Sequence, residues 1–177
     1  MFVLTHIFVP LLILELIILK NKEFERKISR FWLVLGGLLP DLIDKPLSLT
    51  FPDIFSGRGV AHAPLLWIVL IGVFFFYKPI RSITTSTAMG IFIHLLLDIP
   101  EIPWLWPFVP FKIYHSTFQE WFNTLIHNPV VISTEILSFI GLIVLLKIKK
   151  IIFDGKILNV IQSKHFLFNI KMNSTEV

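Results

Sequence analysis

The sequence predicts an all-α, polytopic membrane helix bundle of about five transmembrane helices. Three observations carry that prediction. Hydrophobic residues make up 55% of the 177 positions and charged residues only 16%, whereas soluble domains run near 25% charged. The mean hydropathy is +0.79, so a water-soluble fold would leave much apolar surface facing water. The apolar residues also gather in stretches near the length that a bilayer demands, about 20 residues for a hydrocarbon core of roughly 30 Å. Together these exclude an ordinary cytosolic enzyme, a disordered chain and a coiled coil. The absence of Cys excludes disulfides, Cys-based zinc sites and a thiol nucleophile.

Five stretches qualify as spans. Residues 2–19 are apolar except for His6 and Glu15. They lack a basic start and a small-residue cleavage site, so they read as a retained helix and not as a signal peptide. Residues 28–44 form the second and weakest, since only 31–40 are free of charge; a re-entrant segment is the alternative. Residues 59–77 and 82–97 carry no formal charge, with His62 in one and His94 in the other, and residues 129–146 carry the single acid Glu135.

Orientation follows from the basic residues, which stay cytoplasmic. Lys20, Lys22, Arg26, Lys27 and Arg30 lie between the first two spans, Lys78 and Arg81 between the third and fourth, and Lys147, Lys149, Lys150 and Lys156 after the fifth. This alternation puts the N-terminus outside and the C-terminus inside, and it needs the weak second span. Residues 99–111 interleave Pro100, Pro103, Pro107 and Pro110 with Trp104, Trp106 and Phe108. Four prolines preclude a regular helix, so this is expected to be a stiff loop at the outer headgroup level. The organisation is therefore a transmembrane domain over 1–146 and a basic amphipathic cytoplasmic tail over 147–177. The Asn173-Ser174-Thr175 acceptor pattern falls in that tail and is discarded as a glycosylation site.

A charged side chain at the bilayer centre costs roughly 2.5–3.5 kcal/mol on insertion scales. Ionisable residues nevertheless sit in or beside the spans: His6, Glu15, Asp41, Asp44, Arg58, His62, His94, Asp98 and Glu135. In the predicted topology all but Glu15 fall towards the outer face, where they converge from all five segments. His94 and Asp98 are four apart, which stacks them on one helix face and lets them share a metal or lets the acid orient the imidazole. Asp41 and Asp44 are three apart on one face, although Pro40 and Pro46 are expected to loosen that helix. Asp44 with Lys45 reads equally as a solvated pair or a ligand, and Glu135 as a ligand or as an acceptor for a neighbouring helix. Glu15 reads as a helix-packing partner. His115 and His127 have no acid at useful spacing and read as surface residues; His165 belongs to the tail. Mixed imidazole and carboxylate ligands favour zinc, with manganese or iron as alternatives, over magnesium or calcium. Arg58 forks onto phosphate or carboxylate.

His6, the run Gly37-Leu38-Leu39-Pro40-Asp41, the run Gly57-Arg58-Gly59-Val60-Ala61-His62 and the pair His94 and Asp98 together resemble the membrane-bound, metal-dependent hydrolase family, some members of which are described as LexA-binding, inner-membrane-associated hydrolases. The resemblance covers roughly residues 1–145. It is similar in pattern to zinc-dependent phospholipases C and single-strand nucleases. It implies that His6, Asp41, His62, His94 and Asp98 are metal ligands and Arg58 a phosphate clamp. The chain departs from that pattern at Gly57, where many members have His, at Ala61, where they have a hydroxyl residue, and in separating Asp41 from Asp44 by two residues.

The expected function is metal-dependent hydrolysis of a phosphoester in a membrane lipid or lipid-linked substrate. One metal or a pair would be held by His62, His94 and Asp98, with Asp41, His6 and Glu135 completing the site. Asp41, Arg58 and His62 are the expected catalytic residues. No nucleic-acid partner is expected, because the net charge of +4 arises from the cytoplasmic loops. The rival expectation is a non-enzymatic membrane protein, either an ion or solute pathway or a metal-stabilised anchor. The absence of His-Glu-x-x-His, Gly-x-Ser-x-Gly and phosphate-loop motifs argues against zincin, elbow-serine and ATP-driven chemistry.

Overall fold

A computed structural model describes residues 3–51, 54–55, 57–99, 102–110 and 118–149. Among them there is no strand. The elements are α1 (Val3–Lys20), α2 (Phe24–Lys27), α3 (Arg30–Thr50), a 3-10 turn (Val60–His62), α4 (Pro64–Phe75), a second 3-10 turn (Lys78–Ile80), α5 (Arg81–Leu97), α6 (Phe118–His127) and α7 (Pro129–Lys149). The chain divides into two units, residues 1–139 and 140–177; in the second, the described residues 140–149 are the last turns of α7. The expected tail beyond Lys149, His115, His165 and the Asn173 pattern all lie outside the described residues.

This is an all-helical membrane fold. Among the described residues, three helices are long and apolar enough to cross a bilayer: α1, α5 with the turn before it, and α7. Large apolar side chains such as Phe31, Leu42, Ile68, Val73, Phe92 and Leu137 are exposed on the helix surfaces, as lipid-facing residues should be. α3 has 21 residues, about 32 Å at 1.5 Å per residue, but carries Asp41, Asp44 and Lys45. It runs unbroken through Pro40 and Pro46 to Thr50, so the expected loosening does not occur and both acids keep one face, turned inward.

The third expected span is shorter than its sequence. α4 covers 12 residues, about 18 Å. Pro64 stands in its first turn, where a missing N–H costs nothing, and residues 59–62 remain outside the helix because their amides are used elsewhere. Residues 102–110 form turns without helix, as their prolines require. Trp104, Leu105, Phe108 and Val109 there are exposed.

Glycine sets how closely the central helices meet. A methyl group on Gly36 would overlap the carbonyl of Thr87, and one on Gly90 would overlap the carbonyl of Leu33. The α3 and α5 backbones are therefore in contact. On the other side of α3, a methyl group on Gly37 would lie 2.7 Å from the His6 carbonyl oxygen, which fixes α1 as closely. Two apolar clusters flank this seam: Leu14, Ile18, Ile28 and Leu33 towards one end, and Ala61, Trp67, Ile91, Leu95 and Ile102 towards the other.

Candidate metal centre

His94 follows Gly90 by four residues, so the contact that only glycine permits also presses His94 against α3. Its Nδ1 donates to the Gly37 carbonyl oxygen at 2.6 Å, an oxygen that can only accept. The proton of His94 therefore sits on Nδ1, and Nε2 keeps its lone pair.

His62 is held in the same tautomer by a different device. The Asp44 carboxylate is fully buried and accepts from the backbone amides of Gly59 at 2.8 Å, Ala61 at 3.0 Å and His62 at 3.1 Å. It also accepts from His62 Nδ1 at 2.7 Å. With three backbone N–H groups donating to it, the carboxylate is the acceptor and His62 Nδ1 the donor in that bond. The segment before α4 thus wraps around one carboxylate of α3, which is why it does not join the helix. Trp67 clamps it from the far side, donating to the Ala61 carbonyl at 2.6 Å.

The two Nε2 atoms then face one another at 3.1 Å. With both imidazoles neutral this opposes two lone pairs, which is repulsive unless a cation lies between them. Two carboxylates lie beside this pair. Asp41 Oδ1 lies 3.5 Å from His62 Nε2, and Asp98 Oδ2 lies 3.7 Å from His62 Nε2 and 4.0 Å from His94 Nε2. Asp41, His62, His94 and Asp98 are all buried, and each offers one ligand atom within 4.8 Å of the others. A tetrahedron with metal–ligand bonds of about 2.0–2.1 Å has edges of roughly 3.3 Å. The donor set therefore fits a divalent metal in both chemistry and size.

Of the expected site residues, the structure brings together Asp41, His62, His94 and Asp98. His6 lies beside them, its Nε2 3.5 Å from Asp98 Oδ1 and its ring 4.1 Å from that of His94, centre to centre. Arg58 is at the rim, where its Nε donates to Asp98 Oδ2 at 2.9 Å. Glu135, expected as a ligand or as an acceptor for a neighbouring helix, takes the second role. Its carboxylate accepts from the amides of Leu4 and Thr5 at 3.0 and 3.1 Å and from the Thr5 hydroxyl at 2.6 Å, and so satisfies the open N–H groups at the start of α1. Ser138 Oγ donates to the same hydroxyl at 3.1 Å.

Asp44 is the functional residue that the sequence undervalued. It is neither a solvated partner of Lys45 nor one of the four clustered donors. Lys45 instead donates to Asp41 Oδ2 at 2.6 Å, and Asp44 orients His62. The signal was available: at i+3 from Asp41 it shares the buried face, while Lys45 at i+4 reaches the same acid from the rim. Helix α6 was also missed, although Phe118, Trp121, Phe122, Leu125 and Ile126 follow a helical apolar period. It carries His127, whose Nδ1 donates to the Asn123 carbonyl at 3.1 Å in an exposed setting.

Fold and site together define the class: a polytopic α-helical membrane protein with a buried His/Asp cluster able to hold a divalent metal. The chain belongs to the YdjM inner membrane protein family, whose sequence model matches residues 1–155. No curated protein and no solved structure matches it significantly.

Proposed function

We propose that this protein is a metal-dependent membrane hydrolase acting on a phosphoester of a lipid or lipid-linked substrate. The observation that supports the reading most is the pair of opposed Nε2 atoms, 3.1 Å apart and ringed by the carboxylates of Asp41 and Asp98. A shared proton would relieve the imidazole pair; the two carboxylates beside it add the oxygen donors that a divalent ion takes together with imidazole nitrogen.

In this reading His62, His94, Asp41 and Asp98 hold the metal, zinc by the donor types. When bound, it supplies a Lewis acid that polarises a phosphoryl oxygen and acidifies water. Arg58, 31% exposed while bonded to Asp98, is the phosphate-binding cation of this reading. His6 is the remaining base at the cluster and takes the proton of the attacking water. Asp44 keeps His62 in the tautomer that points Nε2 inward. Five crossings with the N-terminus outside would set this centre towards the extracytoplasmic face, level with the exposed aromatics of residues 102–110.

One observation favours a second reading, a metal-stabilised anchoring protein. Four buried donors would close a tetrahedron, and structural zinc sites are closed where catalytic ones keep an open position. The test is to load the detergent-purified protein with zinc or manganese and assay a panel of phospholipid and polyprenyl phosphoesters, beside Arg58→Gln. Metal-dependent turnover that Arg58→Gln lowers at least tenfold is the expected result. A metal-loaded protein that turns over nothing, and that unfolds when the metal is chelated, is the anchor.

A further inference from the structure

Charged side chains stay out of hydrocarbon, so they mark one edge of the membrane on this bundle. Lys20, Lys22, Arg26, Lys27, Lys78 and Arg81 are all exposed. They stand where α1 ends and where α3 and α5 begin, and the Ser82 hydroxyl bonds the Lys27 carbonyl across that end. Heights above this edge follow from the rise of a helix. His6 lies about 21 Å from Lys20 along α1, Asp41 about 17 Å from Arg30 along α3, and His94 about 20 Å from Arg81 along α5. Three helices thus place the cluster at one height, roughly 20 Å into a hydrocarbon core of about 30 Å.

The exposed surface agrees with that depth. A cluster at the far edge of the membrane would be followed by polar surface. Instead large apolar side chains continue past it: Leu49 and Phe51 at the end of α3, Ile99 after α5, and Leu105 and Phe108 in the loop of residues 102–110 are all exposed. Ile102 is buried against Ala61 and Trp67, which seats that loop beside the first turn of α4. α4 has 12 residues and reaches only about 18 Å, so the loop adds apolar surface where the helix stops short. Lys45 and Arg58 stand at the height of the cluster and are ion-paired to Asp41 and Asp98, the form in which charge is tolerated at membrane depth.

Building on the metal-site reading above, we propose that the His/Asp centre is intramembrane, roughly 10 Å beneath the nearer edge of the hydrocarbon, and that its ligand reaches it from the leaflet and not from bulk water. The ligand class is a membrane-dissolved lipid whose polar group dips to that depth. A water-soluble phosphoester has no route to the centre.

The chain has no Cys, so single nitroxide labels can be placed by substitution. Leu49→Cys, Ile99→Cys and Leu105→Cys are labelled in vesicles of phosphatidylcholine and phosphatidylglycerol. Lys22→Cys serves as the aqueous reference and Val73→Cys as the hydrocarbon reference. Each label is read for collisions with oxygen, which enters hydrocarbon, and with a nickel chelate, which does not. All three are expected to match Val73→Cys. Nickel collisions as frequent as at Lys22→Cys, at any of the three, put the cluster at the water edge and overturn the proposal. In the same vesicles, the zinc-loaded wild type is challenged with phenanthroline, which dissolves in lipid, and with EDTA, which is charged. Zinc removal by EDTA is expected to be slower by about tenfold or more, because hydrocarbon excludes its charge. Equal rates, fast or slow, overturn the approach from the leaflet. A wild type that takes up no zinc removes the metal-site reading by itself, while the labels still uphold or refute the depth of the cluster.

Discussion

The two ends of the α1, α3 and α5 seam are both polar, and they are polar in opposite ways. At the end where α3 and α5 begin, donors and acceptors alternate. Arg30 Nε donates to Glu15 Oε1 at 2.8 Å, and Arg30 also faces Glu25 at 3.7 Å. The Ser29 amide donates to Ser86 Oγ at 2.9 Å, Ser86 Oγ to the Ser82 carbonyl at 2.6 Å, and Ser82 Oγ to the Lys27 carbonyl at 2.7 Å. At the end where they finish, the Nε2 atoms of His62 and His94 face each other at 3.1 Å between two carboxylates. The first arrangement pairs donors with acceptors, except that Arg30 Nη2 keeps only its 3.7 Å contact with Glu25, and it holds helix ends together. The second gathers four buried residues that could hold a metal ion. Buried polarity marks a site only where acceptors outnumber donors, and a closed first end also speaks against a continuous solute path through this seam.

The sharpest way to break this contrast is at Asp44. Asp44→Ala would strand the Gly59 and Ala61 amides and the His62 Nδ1–H, leaving the His62 amide only its bond to the Gly59 carbonyl, each unsatisfied buried group costing about 1–3 kcal/mol. Against a total stability of about 5–15 kcal/mol, the variant is expected to aggregate on size-exclusion chromatography. Asp44→Asn, which keeps an acceptor oxygen, should elute as a folded particle with zinc affinity reduced about 10- to 100-fold. Unchanged affinity in Asp44→Asn would deny it the orienting role.

Gly90→Ala comes next. Its methyl group meets the Leu33 carbonyl and the Gly37 amide, so α5 must move away from α3 and take His94 off the Gly37 carbonyl. Overpacking of this kind costs about 1–3 kcal/mol, read as a lower thermal midpoint, and it should be accompanied by weaker zinc binding. A stability loss with zinc affinity intact would show that the seam and the site are independent.

Glu135→Gln tests the cap on α1. The loss should be near 1 kcal/mol, as for other helix caps, with metal content unchanged; zinc lost along with the midpoint would return Glu135 to the metal centre. Glu15→Gln, at the first end, should shift the midpoint by less than about 1 kcal/mol and leave zinc untouched. A larger loss of zinc there than at Glu135 would erase the distinction between the two ends.

How much of this was legible in the sequence differs by residue. The helices came from apolar runs, and the limits of α5 and α7 were close because Arg81 and Pro129 punctuate them. His62, His94, Asp41 and Asp98 could be grouped because their spacing and predicted depth agreed. The length of α4 was not legible, since Val60 and Ala61 are as apolar as the helix that follows; only the bond from Asp44 to their segment takes them out of it. Glu135 could be narrowed only to a ligand or an acceptor for a neighbouring helix, because the shortfall it fills, the open amides of α1, belongs to a distant segment. The opposed Nε2 atoms were beyond reach, because a tautomer is set by partners that only packing supplies.

The most direct measurement is the metal content of the detergent-purified protein, by elemental mass spectrometry, beside a His62→Ala, His94→Ala double variant that still elutes as a folded particle. About one divalent ion per chain in the wild type, absent from the variant, is the result this account predicts. A wild type that holds none after purification and after metal add-back would contradict it, and would leave the two imidazoles to share a proton.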